Sequence, residues 1–385
     1  MDKNNSSMNN LIVLVQNVFL GEKNELVDID VNKVCSYAKY HSLEYIIYTG
    51  LNNYGIKVDE KFKNASEVNA YKSVTQELEL CELIKVLSSK KICFMPLKGA
   101  VLQKLYPKIE YRNMADIDIL VKVDDLKNAG TALKEIGYTV DTLGGNHDTY
   151  NKKPYMHVEV HRALIDEYYT KLNEYYTDIW NSDRIYHLDN EYHYYFRDED
   201  FYIFFICHAS KHFSNAGTGF RTIIDVYIYL KEKKDSLDFA YIDGELEKVG
   251  LNKFNNIIKD SVDYVFYHIK KDNISDVLEF LAYIIDSGTY GSTYNSATIG
   301  VIDDGSGKKY ILKRLFPPYS SMKRRNPVLK KIPILLPWFY FTRLLKGLFH
   351  IKTYKKQYNN VKKIDDSDIT RIKRIQEITG VEKWE

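Results

Sequence analysis

Cysteine is scarce in this chain, and the four cysteines lie far apart in the sequence. No two of them form a C-x-x-C pair, so neither a zinc ribbon nor a disulfide framework is indicated. We also expect no secretory signal, because the apolar run of residues 11–20 is short, is broken by Gln16 and Asn17, and precedes no small-residue cleavage site. These features predict a cytoplasmic protein with reduced thiols.

Acidic residues are absent from one long stretch. Residues 308–357 contain fourteen Lys or Arg and no Asp or Glu, whereas the rest of the chain, with 40 basic and 52 acidic residues, carries a net charge of −12. This asymmetry predicts an anionic partner for residues 308–357, which is a phosphate compound, a nucleic acid or a lipid surface.

The sequence also lacks an uninterrupted apolar run that could cross a membrane. The best candidate, residues 332–351, has nearly the required length but contains Arg343 and Lys346. We expect this segment to pack into the core. A basic, aromatic helix that lies on a membrane surface is the alternative.

The chain does contain enough apolar residues, 45% of 385, for a large core, and this length suggests two or three domains. Apolar residues recur at helical spacing before residue 90 and again from residue 168 to about 286, whereas residues 287–310 are rich in Gly and Ser and suggest a loop or small hairpin. The domains that we predict are a helical N-terminal region (1–90), an α/β core (91–165), a helical domain (166–290), and a loop, basic segment and C-terminal helical tail (291–385).

The α/β core shows short strands that alternate with helices. The run ICFMPL predicts a strand that ends at Lys98-Gly99, AVLQKLYP predicts two helical turns, and ADIDILVKV alternates acidic and apolar residues as a strand does. The runs YTVDTL and YMHVEVH read as a hairpin around a long polar loop, GGNHDTYNKKP. The overall prediction is an α+β fold in which a small mixed sheet is flanked by helical domains.

Asp116 and Asp118 are two residues apart in a predicted strand and therefore share one face. Their repulsion is relieved by a divalent cation, and Mg²⁺ bound to substrate phosphates fits this pair. The same repulsion predicts that neutralising Asp118 stabilises the metal-free protein. Glu159 is expected on a neighbouring strand as a third carboxylate, although Asp141 and Asp148 compete for that role.

Three stretches, PLKGAVLQKLYP, YRNMADIDILV and HVEVHRAL, resemble an uncharacterised bacterial nucleotidyltransferase family of the DNA polymerase β superfamily. The superfamily usually has Gly-Gly or Gly-Ser before its acidic pair, where this chain has Lys98-Gly99. The resemblance implies transfer of a nucleoside monophosphate from a nucleoside triphosphate to an acceptor hydroxyl or phosphate, with Mg²⁺, or alternatively Mn²⁺, as the cofactor. It further implies the residue roles, which are metal binding and catalysis by Asp116, Asp118 and Glu159, and nucleotide binding by Lys98, Gly99 and Arg112.

Several basic side chains are candidates for acceptor contact or for support of the metal ligands. His208, Lys211 and His212 share one face of a predicted helix, and His157 and His161 flank Glu159 at strand spacing. Packing and hydrogen bonding are the first expectation for the three helical residues. Arg221 and Asp225, four residues apart, predict an ion pair within one helix.

The function that we expect is Mg²⁺-dependent nucleotidyl transfer to a small molecule. Two alternatives remain open at this stage, namely nucleotidylation of a protein and a catalytically silent regulator that binds a nucleotide or a partner.

Overall fold

The computed structural model describes residues 3–188, 191–289, 291–349, 351–382 and 384. In it, the N-terminal residues with helical spacing form four helices. They are α1 (Lys3–Leu20), α2 (Val31–His41), α3 (Glu44–Asn53) and α4 (Glu60–Ser89). Asp30 and Asp59 cap α2 and α4, since each side chain accepts a hydrogen bond from a backbone N–H in the first turn. Residues 3–89 are therefore mostly helical.

The core that follows contains a five-stranded mixed sheet and two helices. Its elements are β1 (Phe94–Pro96), α5 (Gly99–Leu102), β2 (Ile117–Val121), α6 (Leu126–Glu135), β3 (Thr139–Thr142), β4 (His147–Lys152) and β5 (Met156–His161). The strand order is β1-β2-β5-β4-β3, in which β2 and β5 are parallel and the other neighbours are antiparallel. The fold is α+β, as the sequence predicts.

The polar stretch of residues 144–154 is not one long loop. It contains the whole of β4, which pairs with both β3 and β5. The prediction of a loop was wrong because β4, with the sequence HDTYNK, has no apolar alternation to mark it as a strand.

Helices predominate in the rest of the chain. These are α7 (Thr170–Tyr175), α8 (Asp198–Ala216), α9 (Arg221–Lys233), α10 (Phe239–Val249), α11 (Asn252–Phe266), α12 (Ile274–Ser287), α13 (Thr293–Asp304), α14 (Gly307–Leu315), α15 (Tyr319–Arg325), α16 (Val328–Lys331), α17 (Leu336–Phe349), α18 (Ile351–Lys363) and α19 (Asp366–Thr379). A two-stranded hairpin, β6 (Ile185–His187) and β7 (Tyr194–Phe196), lies between α7 and α8. None of the helices in the described part of the chain has both the length and the apolar character needed to cross a bilayer.

Two expectations for the C-terminal region were wrong. Residues 287–310 contain the whole of α13 and the start of α14 in place of a loop or hairpin, because Ser292 and Ser306 cap these helices and Gly305 ends the first in a left-handed conformation. The part of segment 332–351 whose side chains are described does not pack into the core, since every side chain from 332 to 346 is exposed or half-buried.

One face of the five-stranded sheet packs against α4 and α6. The other face is partly buried and partly lines a cavity. Ile119 and Val160, on neighbouring strands, pack with Leu83 of α4 and Leu133 of α6 in one apolar cluster. A second and larger cluster joins the N-terminal helices to α8, α9, α11 and α12. Because side chains alternate along a strand, Asp118 of β2 and Glu159 of β5 point away from the first cluster.

Candidate active site

Two carboxylates lie side by side on the open face of the sheet. Asp118 of β2 and Glu159 of β5 are direct partners in the parallel register, and the alternation that buries Val158 and Val160 turns Glu159 to the opposite face. Asp116 lies in the bend just before β2 and lines the same cavity. The three acidic residues predicted for the site are therefore brought together.

A lysine and a histidine hold the buried Asp118. One oxygen of its carboxylate, Oδ1, lies 2.8 Å from Nζ of Lys98 and 2.7 Å from Nε2 of His161. Lys98 occupies the turn between β1 and α5 with a positive φ of 47°, a conformation that is uncommon for a residue with a side chain. This turn directs the ammonium group at the carboxylate and not at solvent.

The two aspartates have opposite electrostatic environments. Burial alone would raise the pKa of Asp118, but the charge of Lys98 and the hydrogen bond to His161 hold it well below its ordinary value. For Asp116, burial and repulsion by Asp118 and Glu159 raise the pKa to about 6. Asp118 is thus fully ionised at neutral pH, and Lys98 and His161 stabilise its charge. The charge of Asp116 is instead destabilised by burial and by the two neighbouring carboxylates.

Glu159 also lies between two imidazole rings. Its Oε1 is 3.6 Å from Nε2 of His147, and its Oε2 is 3.3 Å from Nε2 of His161. The three ligand atoms lie within 4.8 Å of one another. Burial would raise the pKa of Glu159, but the hydrogen bond from His161 and the nearby histidine charges lower it. His157 is 3.9 Å from Glu159, and its Nδ1 is bonded to Asn151 Oδ1 at 2.6 Å.

These donors fit a divalent cation. Ligand atoms that surround one ion at about 2.0–2.2 Å lie roughly 3–3.6 Å apart, which is the spacing between Glu159 and its two histidines. Asp118 Oδ1 and Glu159 Oε2 both lie beside Nε2 of His161, so carboxylate oxygen and imidazole nitrogen converge on one point. The arrangement is a candidate metal site with mixed oxygen and nitrogen ligands.

Helix α8 forms the opposite wall of the cavity, whose volume is about 440 Å³. His208, Lys211 and His212 face the carboxylates from this wall, as their shared helical face predicts. Burial and repulsion by Lys98 lower the pKa of Lys211 to about 8, and burial together with Lys211 lowers that of His212 to about 3. The cavity therefore has an anionic wall of carboxylates and a basic wall in which the histidines are neutral at pH 7.

A sequence profile of the family described as "Uncharacterised nucleotidyltransferase" matches residues 28–258, more than half of the chain. The chain belongs to this nucleotidyltransferase family. No curated protein and no solved structure matches it. The matched range contains the sheet, Asp116, Asp118, Glu159 and the wall formed by α8, so every residue that lines the cavity except Thr289 lies in the part of the nucleotidyltransferase that its family shares.

Lys98 and Gly99, the residues predicted to contact phosphates, both line the cavity of the nucleotidyltransferase. A Cβ atom on Gly99 would lie 2.8 Å from Cγ of Met114, so a larger residue at this turn would displace its neighbour. The glycine thus allows the backbone to pass close to the loop before β2. Because α5 is only four residues long, the turn offers few free N–H groups to a phosphate. Phosphate binding at this turn would therefore depend on the charge of Lys98.

Arg112 lies at the cavity wall, but a buried carboxylate already holds it. Its Nε is 2.8 Å from Oδ1 of Asp225 and its Nη2 is 3.1 Å from Oδ2, while Tyr106 donates a 2.6 Å hydrogen bond to the same Oδ1. Arg221, which the sequence pairs with Asp225 in one helix, donates to the backbone and side-chain oxygens of Asn113 at 3.2 and 3.3 Å. The carboxylate of Asp225 thus joins α9 to the loop before β2.

Sequence reasoning missed His147 as a site residue of the nucleotidyltransferase. The residue is the first in β4 and lies directly opposite His161 in the antiparallel register. Had a turn of residues 153–155, centred on Pro154, been recognised, the symmetry of a hairpin would have paired 147 with 161. The competing Asp148 pairs with Val160, lies on the other face from Glu159, and bonds Arg162.

Proposed function

We propose that this nucleotidyltransferase moves a nucleoside monophosphate from a nucleoside triphosphate to a hydroxyl or phosphate of a small molecule. The observation that carries the proposal is the convergence of Asp116, Asp118 and Glu159 on one wall of a cavity whose other wall is basic. A volume of about 440 Å³ is within the usual range for small-molecule sites, about 300–1,000 Å³. This size favours a small acceptor over a folded protein.

In the reaction, an oxygen of the acceptor forms a bond to the α-phosphorus, and the bond from that phosphorus to the bridging oxygen of the β-phosphate breaks. Pyrophosphate leaves with the electron pair of the broken bond. Glu159, which is a carboxylate at neutral pH, takes the proton of an acceptor hydroxyl. Divalent metal ions, when bound, neutralise the negative charge that develops on the transferring and leaving phosphates.

The residues of this chain then have separate tasks. Asp116, Asp118 and Glu159 would hold the metal ions, with His147 and His161 beside them and His157 as a support for Glu159. Lys98 and the backbone of Gly99 contact the triphosphate. Lys211 contacts a phosphate or the acceptor from the α8 wall, where His208 and His212 also line the cavity. Arg112 sets the shape of the wall through Asp225 and adds positive charge near the phosphates.

The mixed ligands also bear on which metal acts. Mg²⁺ prefers oxygen ligands almost alone, whereas imidazole nitrogen favours transition metals. We propose that the nucleotidyltransferase works with Mg²⁺ but binds Mn²⁺ more tightly, because Nε2 of His147 and Nε2 of His161 lie close enough to the Glu159 carboxylate to bind the same ion. His147→Ala should then weaken Mn²⁺ binding by about tenfold or more and change Mg²⁺ binding less.

The direct test measures pyrophosphate release from each of the four nucleoside triphosphates, with Mg²⁺ or Mn²⁺, in the presence and absence of pools of small-molecule acceptors. Asp116→Asn should lower turnover at least ~10²-fold. Asp141→Asn, a carboxylate on an exposed strand of the same sheet, is the matched control and should leave turnover unchanged. Release that Asp116→Asn does not lower would contradict the proposed site, and a gain in the mass of the protein itself would redirect the proposal to protein nucleotidylation.

A further inference from the structure

A stripe of large apolar side chains points outward from α17 and the turn before it. Ile334, Trp338, Phe341 and Leu345 follow one another at intervals of four, three and four residues and so lie along one face. Their exposed fractions are 84%, 60%, 52% and 43%. We call these four residues the apolar stripe. Such a row of exposed large apolar residues is unusual on a protein surface and marks a binding surface.

The opposite face of α17 is already packed. Tyr340 donates a 2.6 Å hydrogen bond to the backbone oxygen of Pro317 and stacks edge-on against Phe316. Arg343 donates to the backbone oxygen of Arg314 at 3.1 Å. The inner face of the helix is thus fixed to α14 and the following loop, and the apolar stripe lies on the outer, exposed face.

The surroundings of the apolar stripe are strongly basic. A groove of about 490 Å³ beside α17 is lined by Arg314, Arg325, Arg343 and Lys346, and none of its lining residues is acidic. Among the described side chains of residues 308–357, Lys313 alone forms an ion pair with a carboxylate, that of Asp304. Apart from this pair, no carboxylate forms an ion pair with the cations of this segment whose side chains are described, and their positive charge is available to an external anion.

We propose that residues 308–357 bind the surface of an anionic lipid bilayer, with the apolar stripe at the boundary between headgroups and acyl chains and the groove cations at the lipid phosphates. The long stem of Lys346, beside Leu345, suits this depth because it can lie along apolar groups while its ammonium reaches the phosphates. A nucleic acid would be held by the cations and by stacking on Trp338 and Phe341, but it offers no apolar environment to Ile334 and Leu345. The aliphatic members of the stripe thus favour a membrane. This inference does not depend on the proposed reaction.

The test is flotation of the full chain with vesicles of neutral lipid, or of neutral lipid mixed with an anionic lipid, at low and high salt. We expect binding to the anionic vesicles alone, and weaker binding at high salt. The double variant Trp338→Ser and Phe341→Ser should bind at least about tenfold more weakly, because two aromatic rings no longer enter the interface. The tryptophan emission should shift to shorter wavelength on binding, and Trp338→Phe should remove most of that shift.

The matched control is Val68→Ser and Leu78→Ser, which removes two apolar side chains with exposed fractions of 60% and 67% from α4. It should bind vesicles like the parent, and circular dichroism should show that both double variants fold. Equal binding to neutral and anionic vesicles, no binding at all, or vesicle binding that survives in the Trp338→Ser and Phe341→Ser variant overturns the proposal. Tight binding to single-stranded RNA without vesicle binding overturns it as well and assigns the charge to nucleic acid.

Discussion

At the scale of single residues, Asp118 shows how a buried partner reverses an expectation from sequence. Counting only the repulsion by Asp116, neutralisation of Asp118 should stabilise the protein. The structure adds Lys98 and His161, both bonded to Asp118 Oδ1, and these attractions outweigh the repulsion. Neither contact could be predicted from spacing, because each depends on how a turn and a neighbouring strand direct their side chains.

We predict that Asp118→Asn destabilises the metal-free protein by roughly 1–3 kcal/mol, since it leaves the buried ammonium of Lys98 without its closest counter-charge. The folded-state pKa of Asp118 lies below its unfolded value, so its contribution is present above about pH 4 and is lost as the pH falls. Thermal melting of both proteins without metal should therefore differ at pH 7 and converge in acid. A variant that melts above the parent at pH 7 would contradict this account.

Asp116→Asn should have the opposite effect. The pKa of Asp116 is raised from 3.8 to about 6, so the destabilisation is absent below about pH 4, grows between pH 4 and pH 6, and is complete above pH 6. The variant should melt about 1–3 °C higher than the parent at pH 8 and nearly equal to it below about pH 4. The measurement uses chelator-treated protein, because a bound cation would stabilise the parent and hide the difference. Equal melting temperatures at pH 8 would show that Asp116 is not repelled.

At the scale of elements, the alternation in ADIDILV and HVEV predicted which side chains share the open face, and the structure places Asp118 and Glu159 side by side. Strand periodicity is a local property, and sequence alone can therefore give it. The position of β4 was not predictable in this way, because a strand with mostly polar residues is defined by its partners. His147 reaches the site only through that pairing.

The contact between α9 and the loop before β2 is another non-local feature. We predict that Arg112→Ala destabilises the protein by about 3–5 kcal/mol, because it leaves Asp225 buried without its cation. Adding Asp225→Ala should cost less than the sum of the two single changes, since the contact is already lost. Urea unfolding gives the four values of this cycle. Arg197→Ala, which removes an exposed ion pair with Asp183, is the control and should stay within about 0.5 kcal/mol. Additive effects of Arg112→Ala and Asp225→Ala would mean that the two residues do not interact.

At the scale of the whole molecule, the family match ends at residue 258 but the large apolar cluster does not. Ile299 of α13 and Ile372 and Ile375 of α19 are at most 5% exposed and belong to the same cluster as the buried residues of α8 and α11. The division into four domains stays a prediction. The helices of the N-terminal part and of the C-terminal tail were predictable from periodicity, whereas α13 and the start of α14 were not. The shared core was not predictable either, because it joins residues more than 300 positions apart.

We predict that Ile375→Ala lowers the free energy of unfolding by about 2–5 kcal/mol, as expected when a fully buried side chain leaves a cavity. Ile334→Ala removes the same atoms from a side chain that is 84% exposed and should change stability by no more than about 0.5 kcal/mol. Denaturant titration followed by circular dichroism measures both. If the two variants unfold alike, α19 is not part of the cooperative core.

Helix α13 contacts α8, which forms a wall of the cavity, and it also contacts α14 and α18, which belong to the basic C-terminal region. In evolutionary terms, its side chains have to suit two neighbours at once. Ala297 is 1% exposed, and a Cβ atom on Gly300 would overlap the ring of Tyr310 in α14. Among relatives that keep this C-terminal region, residues 297 and 300 should therefore stay small, and any larger residue at 300 should be accompanied by a smaller one at 310.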